Sequence, residues 1–201
     1  MIAFEGTEGT GKSTHLSLVA GALRHQGYAV CETREPGGTA MGAEIRRLVM
    51  HLDSAAPTAL AELLLYLADR AQHIAEVIRP ALAAGQVVLT DRFSASTIAY
   101  QAYGRGLDLA TVSQLDALVC SGLTADLTVL LDCPVAIGLQ RARGDDRFHR
   151  AETAFHERVR QGFLIQAAEH PDRYCLIDAT RAREQVTAQV LAAVRAALPP
   201  P

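Results

Sequence analysis

The chemistry of this chain is concentrated in Gly6-Thr7-Glu8-Gly9-Thr10-Gly11-Lys12-Ser13, which fits the phosphate-loop pattern G-x-x-x-x-G-K-[ST]. Glycines let backbone N–H groups close around a phosphate chain without Cβ clashes. Lys12 is placed to reach β- and γ-phosphates, and the Ser13 hydroxyl to ligate Mg²⁺. The flanks suit the motif. Ile2-Ala3-Phe4 is short and apolar, like a buried parallel strand, and Leu16, Val19, Ala20 and Leu23 recur at helical spacing. Strand, loop and helix in that order form an anion cradle, to which the helix N-terminus adds its positive dipole end. A bound nucleoside triphosphate is expected, contacted by Gly6, Thr7, Glu8, Gly9, Thr10, Gly11, Lys12, Ser13 and Thr14.

A second set of residues suits a second anion. Asp91 ends the apolar run Val87-Val88-Leu89-Thr90, where an acid supports Mg²⁺ or caps the next helix; the two roles are compatible. Arg34, Arg70 and Arg92 come from three separate segments, and guanidinium forks match phosphate oxygens in pairs. Tyr66 lies one helical turn before Arg70, which suits a base stacked on a ring with its phosphate nearby; an ordinary core aromatic fits as well. Thr97, Tyr100 and Gln101 share a helical face that either reads a base edge and a sugar or is simply solvated. Arg141, Arg143, Arg147 and Arg150 surround Gly144-Asp145-Asp146. That pattern suits a mobile lid closing over a triphosphate, or surface arginines paired with the two aspartates.

Five short runs read as buried strands: Ile2-Phe4, Ala29-Glu32, Val87-Thr90, Thr128-Leu131 and Cys175-Ile177. Helical patterns separate them at 13–26, 41–50, 59–84, 95–103, 109–121, 135–143, 152–169 and 183–198, with Pro80 breaking or kinking the third. Such alternation predicts an α/β fold, a parallel sheet with helices on both faces. Ligands of these sheets sit beyond the carboxyl ends of the strands. The glycine loop, Arg34-Glu35-Pro36-Gly37-Gly38-Thr39, Asp91-Arg92 and Asp132-Cys133-Pro134 are therefore expected to converge.

With 201 residues the chain suits one domain. Its net charge of −3 gives no general attraction to nucleic acid or an anionic membrane. None of the four cysteines has a C-x-x-C partner; Cys31, Cys133 and Cys175 read as small core residues. Glu5 and the glycine loop interrupt the first apolar run, which argues against a signal peptide, and no run is long enough for a bilayer. A reducing cytoplasm is the expected location.

Taken together the motifs closely resemble the thymidylate kinase family of the bacterial type, nearly end to end. The resemblance rests on Phe4 to Thr14, Thr33-Arg34-Glu35-Pro36-Gly37-Gly38-Thr39 and Tyr66-Leu67-Ala68-Asp69-Arg70. It continues through Asp91-Arg92-Phe93, Ala99-Tyr100-Gln101, Gly104-Arg105-Gly106, Leu131-Asp132-Cys133-Pro134 and Arg141-Ala142-Arg143-Gly144. The Arg-Glu-Pro-Gly-Gly-Thr and Asp-Arg-Phe segments are far more specific than the glycine loop.

The resemblance implies a three-layer P-loop NTPase fold, a five-stranded parallel sheet flanked by helices, in a single domain over 1–201 with a short lid near 141–152. It implies transfer of the γ-phosphoryl group of ATP to dTMP, giving dTDP and ADP in dTTP biosynthesis. Mg²⁺ would be held through Ser13 and Asp91, and Lys12, Arg92, Arg143 and Arg147 would be the catalytic cations. By the same likeness Glu8 meets the acceptor's 3′-hydroxyl and Tyr66 stacks on thymine. Arg34, Arg70 and Arg92 hold the acceptor phosphate, Thr97 bonds the base, Tyr100 crowds the 2′ position, and Gln101 lies near base and sugar. Pro36 is expected in the same pocket after a cis bond, and a homodimer is implied. Two positions depart from the family pattern. Gly9 stands where some relatives carry arginine, and His149 follows Asp146-Arg147-Phe148 where many carry an acid.

Overall fold

Side chains alternate across β1 (Ile2–Glu5), so Ile2 and Phe4 enter one apolar cluster while Ala3 enters another. Both faces of this strand must therefore be covered, and they are. The computed structural model describes residues 1–50, 56–142 and 152–200. Five parallel strands run in the order β2 (Val30–Arg34), β3 (Val87–Asp91), β1, β4 (Leu127–Asp132), β5 (Tyr174–Asp178). Against one face α1 (Lys12–His25) and α9 (Arg183–Ala196) deliver Leu16, Val19, Leu23, Val186, Val190 and Val194 onto Phe4 and Leu131. The opposite face is covered by the chain from α3 (Ala59–His73) to α4 (Arg79–Ala83) and by α6 (Leu109–Cys120) and α8 (Thr153–Glu169). Helices α2 (Ala40–Met50), α5 (Ser94–Thr97) and α7 (Val135–Arg141) follow β2, β3 and β4 respectively.

The five strands and their parallel order agree with the sequence expectation, but two are not buried. β2 and β5 are edge strands with alternately exposed residues, because each pairs on one side only. Cys31 and Cys175 lie on these edges and are half-buried, whereas Cys133 and Cys120 are buried. Pro80 does not end its helix. A π-helical segment, Ile74–Ile78, precedes it, and the chain stays in right-handed helical geometry through Ile78 and Arg79. The wider turn opens the spacing where the proline ring would meet the carbonyl of Glu76. The helix expected over 95–103 likewise divides into α5 and a π segment, Ile98–Gly104. This re-aims the residues beyond Thr97.

The connection after β1 runs toward β2 and the connection after the neighbouring β4 runs toward β5, so the two leave toward opposite sides of the sheet. The glycine loop after β1 therefore opens at the topological switch point, where α/β sheets present a crevice.

Candidate functional site

Gly6, Gly9 and Gly11 take φ of 139°, 70° and 89°, conformations that side chains oppose. They curl the loop over the start of α1. The Lys12 ammonium folds back and donates to the carbonyls of Gly6 (3.0 Å) and Thr7 (2.7 Å). Burial, reinforced by Arg92, lowers its pKa to about 8, against the pull of Asp91, Glu8 and Glu5. Gly9 packs so closely on α7 that a Cβ there would overlap the Gly138 carbonyl. The missing arginine thus has no space at this position.

The Ser13 hydroxyl donates to Asp91 at the end of β3. Asp91 does not cap α5, whose N-cap is Phe93. Glu5, at the end of β1, meets the buried amides at the start of α5 instead, accepting from Phe93 N (2.8 Å) and Ser96 N (3.2 Å). Sequence reasoning gave Glu5 no such role. Next to Asp91, Arg92 has a φ of 77°, a left-handed value that strains any residue with a Cβ. The turn directs its guanidinium inward, to Gly6 O (3.1 Å), Ser96 Oγ (3.0 Å), Tyr100 Oη (3.0 Å) and Glu8 (3.4 Å).

Glu8 is held from three sides. Tyr100 Oη donates to Oε1 at 2.5 Å, Arg92 approaches the same oxygen, and His156 Nδ1 lies 3.3 Å from Oε2. Burial opposes the charge, but the His156 ring, Arg92 and Lys12 outweigh it and hold the carboxyl well below the usual range.

A cleft of about 670 Å³ runs from this loop between α2, α3 and α5. Gly9, Gly11, Lys12, Ser13, Thr14 and Asp91 line it from the phosphate loop, the start of α1 and the end of β3; Arg34, Pro36, Tyr66, Arg70, Thr97 and Gln101 line it from β2, α3 and the helix after β3. Glu8, Arg92 and Tyr100 lie on its wall too, so the two sets of residues meet in one space. Gly6, Thr7 and Thr10 shape the loop from behind, Thr10 donating to Thr7 O at 3.0 Å. The Glu35–Pro36 bond is cis.

Two placements differ from expectation. Arg70 is fully buried and is matched by two acids, Glu35 (2.8 Å) and Asp116. Its charge is therefore largely balanced within the protein. Asp132 does not line the cleft; Arg160 of α8 grips it with two bonds of 2.7 and 2.8 Å. Arg143, Arg147 and Arg150, the core of the expected lid, lie outside the described residues. Arg141 lines the cleft and donates to Ala179 O at 2.7 Å.

The family model for thymidylate kinase matches residues 4–190. The chain belongs to the thymidylate kinase family. A thymidylate kinase from Trichlorobacter lovleyi is 47% identical over 209 residues, covering 100% of this chain and 99% of the relative. Another, from a Synechococcus strain, is 50% identical over 198 residues, covering 98% and 95%. A crystal structure of thymidylate kinase from Ehrlichia chaffeensis superposes with a TM-score of 0.80 at 33% identity, covering 96% and 97%. The five-stranded parallel sheet with its phosphate loop is thus the P-loop NTPase fold of this family.

Within this thymidylate kinase fold several contacts that shape the cleft were not foreseen from the sequence. Arg46 of α2 lines it and donates to Pro36 O at 3.1 Å; burial and then Arg34 lower its pKa. Glu35 is pinned by Arg70 and by His73 Nδ1 at 2.9 Å. Asp69 accepts from Gly37 N at 3.0 Å, fixing the loop after the cis bond. Glu35 and Asp69 lie within segments that carry the family likeness, but only the fold brings His73, Arg70 and Gly37 to them.

Proposed function

We propose that this chain transfers the γ-phosphoryl group of ATP to dTMP, giving dTDP and ADP in the synthesis of dTTP. The supporting observation is one cleft whose two sets of lining residues suit two phosphate groups, with Arg92 on the wall they share. The glycine loop and Lys12 take the triphosphate of ATP. Arg34, Arg46 and Arg92 take the acceptor phosphate, with Arg70 contributing through a charge already balanced by Glu35 and Asp116. Tyr66 stacks on the base, Thr97 and Gln101 face its edge, and Glu8 and Tyr100 meet the sugar.

The acceptor phosphate is itself an anionic nucleophile, so no strong base is required. Alignment and charge neutralisation carry the reaction. Glu8 and Glu35 line the cleft but are already paired with guanidinium groups, Glu8 with Arg92 and Glu35 with Arg70, which argues against either acting as a base on a bare nucleoside. Ser13 and Asp91 in contact offer two hard oxygens, a fit to Mg²⁺, which takes few protein ligands and completes its shell with water and phosphate oxygens. Bound there, Mg²⁺ would neutralise phosphate charge. Lys12 and Arg92 add fixed positive charge, with Arg143 and Arg147 supplied by a lid near 141–152 of a single domain spanning 1–201.

The active form is a homodimer in the cytoplasm. Met41 and Leu48 on α2, with Leu60 and Leu64 on the adjoining α3, are 46–51% exposed and offer an apolar face to a second copy. No helix among the described residues is long and apolar enough to cross a membrane. Nucleic acid is not a partner.

Coupled measurement of ADP release from the purified protein, with ATP, Mg²⁺ and single acceptors, tests the activity. Release stimulated by dTMP supports it; stimulation by thymidine alone, or by another monophosphate but not dTMP, removes it. Sedimentation of the same sample reads the oligomeric state.

A further inference from the structure

The amide of Gln101 is held in one orientation from outside the cleft. Its Nε2 donates to Glu62 Oε1 at 3.0 Å. The same carboxylate is clamped by Arg105 through two bonds, 2.9 Å to Oε1 and 3.0 Å to Oε2. Arg105 in turn stacks over Phe155, its guanidinium carbon 4.7 Å from the ring centroid. Glu62 is 1% exposed and Gln101 also 1%, so bulk water does not compete for these bonds. A carboxylate paired with arginine only accepts, so the end of the amide that faces it must be the NH₂. The other end, Oε1, is left toward the cleft that Gln101 lines, and no described residue donates to it.

Thr97 is fixed in the opposite sense. Arg70 Nη1 donates to its hydroxyl oxygen at 2.8 Å. Arginine has no acceptor, so the Thr97 hydroxyl keeps its hydrogen to give. No described residue takes it. The cleft wall therefore presents donors, Thr97 O–H with the Arg70 guanidinium behind it, beside an acceptor, Gln101 Oε1.

We propose that Glu62, fixed by Arg105, is a positioning residue that sets the polarity of the Gln101 amide and so makes the site select a 4-oxo pyrimidine over a 4-amino pyrimidine. A 4-oxo ring offers an acceptor at O4 and a donor at N3–H, the complement of this wall. A 4-amino ring offers a donor at N4 and an acceptor at N3, a mismatch at both positions. Buried polar groups left facing like groups are strongly disfavoured, and sites built this way discriminate far better than apolar pockets. Thymine and uracil share the edge, so this device does not separate them. The inference rests on the proposed acceptor site and names how that site chooses its base.

The test is the ratio of kcat/KM for dTMP to that for dCMP, with dUMP as a control. In Glu62→Gln the new amide can donate to Gln101 Oε1, which frees Nε2 to face the cleft. The ratio is expected to fall roughly 10- to 100-fold, with the dTMP-to-dUMP ratio unchanged. In the swap Glu62→Gln with Gln101→Glu, residue 62 donates to one oxygen of residue 101 and leaves the other as an acceptor toward the base. Much of the ratio is expected to return. Gln101→Met, which leaves Glu62 and Arg105 together, gives an arm independent of any folding defect at position 62; there the ratio should collapse. A ratio that stays within about twofold of wild type in Glu62→Gln or in Gln101→Met, or a swap no better than Glu62→Gln, overturns the inference. A structural role alone would lower turnover of all three nucleotides equally. Wild-type protein that turns over none of them would instead remove the proposed function.

Discussion

The hydroxyl of Tyr100 donates to Glu8 Oε1 across 2.5 Å. It accepts from Arg92 at 3.0 Å, so one side chain joins the glycine loop to the arginine that follows β3. Tyr100→Phe keeps the ring but releases both partners. It should lower kcat/KM for dTMP roughly tenfold while leaving KM for ATP nearly unchanged. Tyr100→Ala should also relax rejection of the ribonucleotide, read by comparing dTMP with ribothymidine monophosphate. Unaltered sugar selectivity would reassign Tyr100 to packing against Phe155 and Phe163.

Arg92→Ala should raise KM for dTMP by about 100-fold or more and KM for ATP only a few-fold, because in the proposed reading the guanidinium holds the acceptor phosphate. The lost partner also leaves Glu8 less balanced, so a thermal melt must accompany the kinetics. Equal losses for both nucleotides would contradict this division of the cleft.

Lys12 gives the binding of ATP a pH dependence with a defined sign. Burial holds its pKa near about 8 before any phosphate arrives. A triphosphate needs the charged form, so ATP affinity should be flat below that pH and fall as pH rises through it, approaching tenfold per unit. Calorimetric titration between about pH 7 and pH 9.5 reads this directly. Affinity that stays constant over the range would show that the lysine remains protonated throughout. Lys12→Ala should abolish turnover with the fold intact.

Glu5 gives folding stability a pH dependence of its own. Burial raises its pKa from 4.5 to about 6, despite the favourable Arg92 and the hydrogen bonds from Ser96 and Phe93. Between those values the folded state holds the proton more tightly than the unfolded chain, so stability falls as pH rises. The loss is about 2 kcal/mol across the window, complete above about pH 6. Urea unfolding of wild type and Glu5→Gln at several pH values should show this slope in the wild type and its absence in the variant. Parallel curves would mean that Glu5 does not titrate there.

Gly138 on α7 should resist substitution although alanine is the better helix former. A Cβ at this position lies 2.5 Å from the Glu8 carbonyl. Gly138→Ala must push the glycine loop aside, costing about 1–3 kcal/mol and raising KM for ATP. An unchanged melting temperature and KM would show that the loop yields freely.

Much of this was legible from spacing. Lys12 and Ser13 follow from a motif whose glycines need positive φ, and Arg34, Asp91 and Arg92 follow from their position at strand ends. The same rule misplaced Asp132, because it could not foresee Arg160 arriving from α8. Apolar runs marked five strands but not which ones lie at the edges, since Cys31 and Cys175 are as apolar as their central counterparts. The π segments escaped because a 3.6-residue pattern carries no sign of a widened turn. Glu62, His156 and Arg105 serve as partners of other site residues, and such roles have no signature without a third dimension. Arg46 was overlooked as one of several helix arginines.

Simultaneous occupancy tests the central claim most directly. Equilibrium dialysis of the protein against dTMP together with a non-hydrolysable ATP analogue should find one of each bound per chain, neither displacing the other. Mutual exclusion, with a single nucleotide bound whatever the mixture, would contradict a cleft built for both.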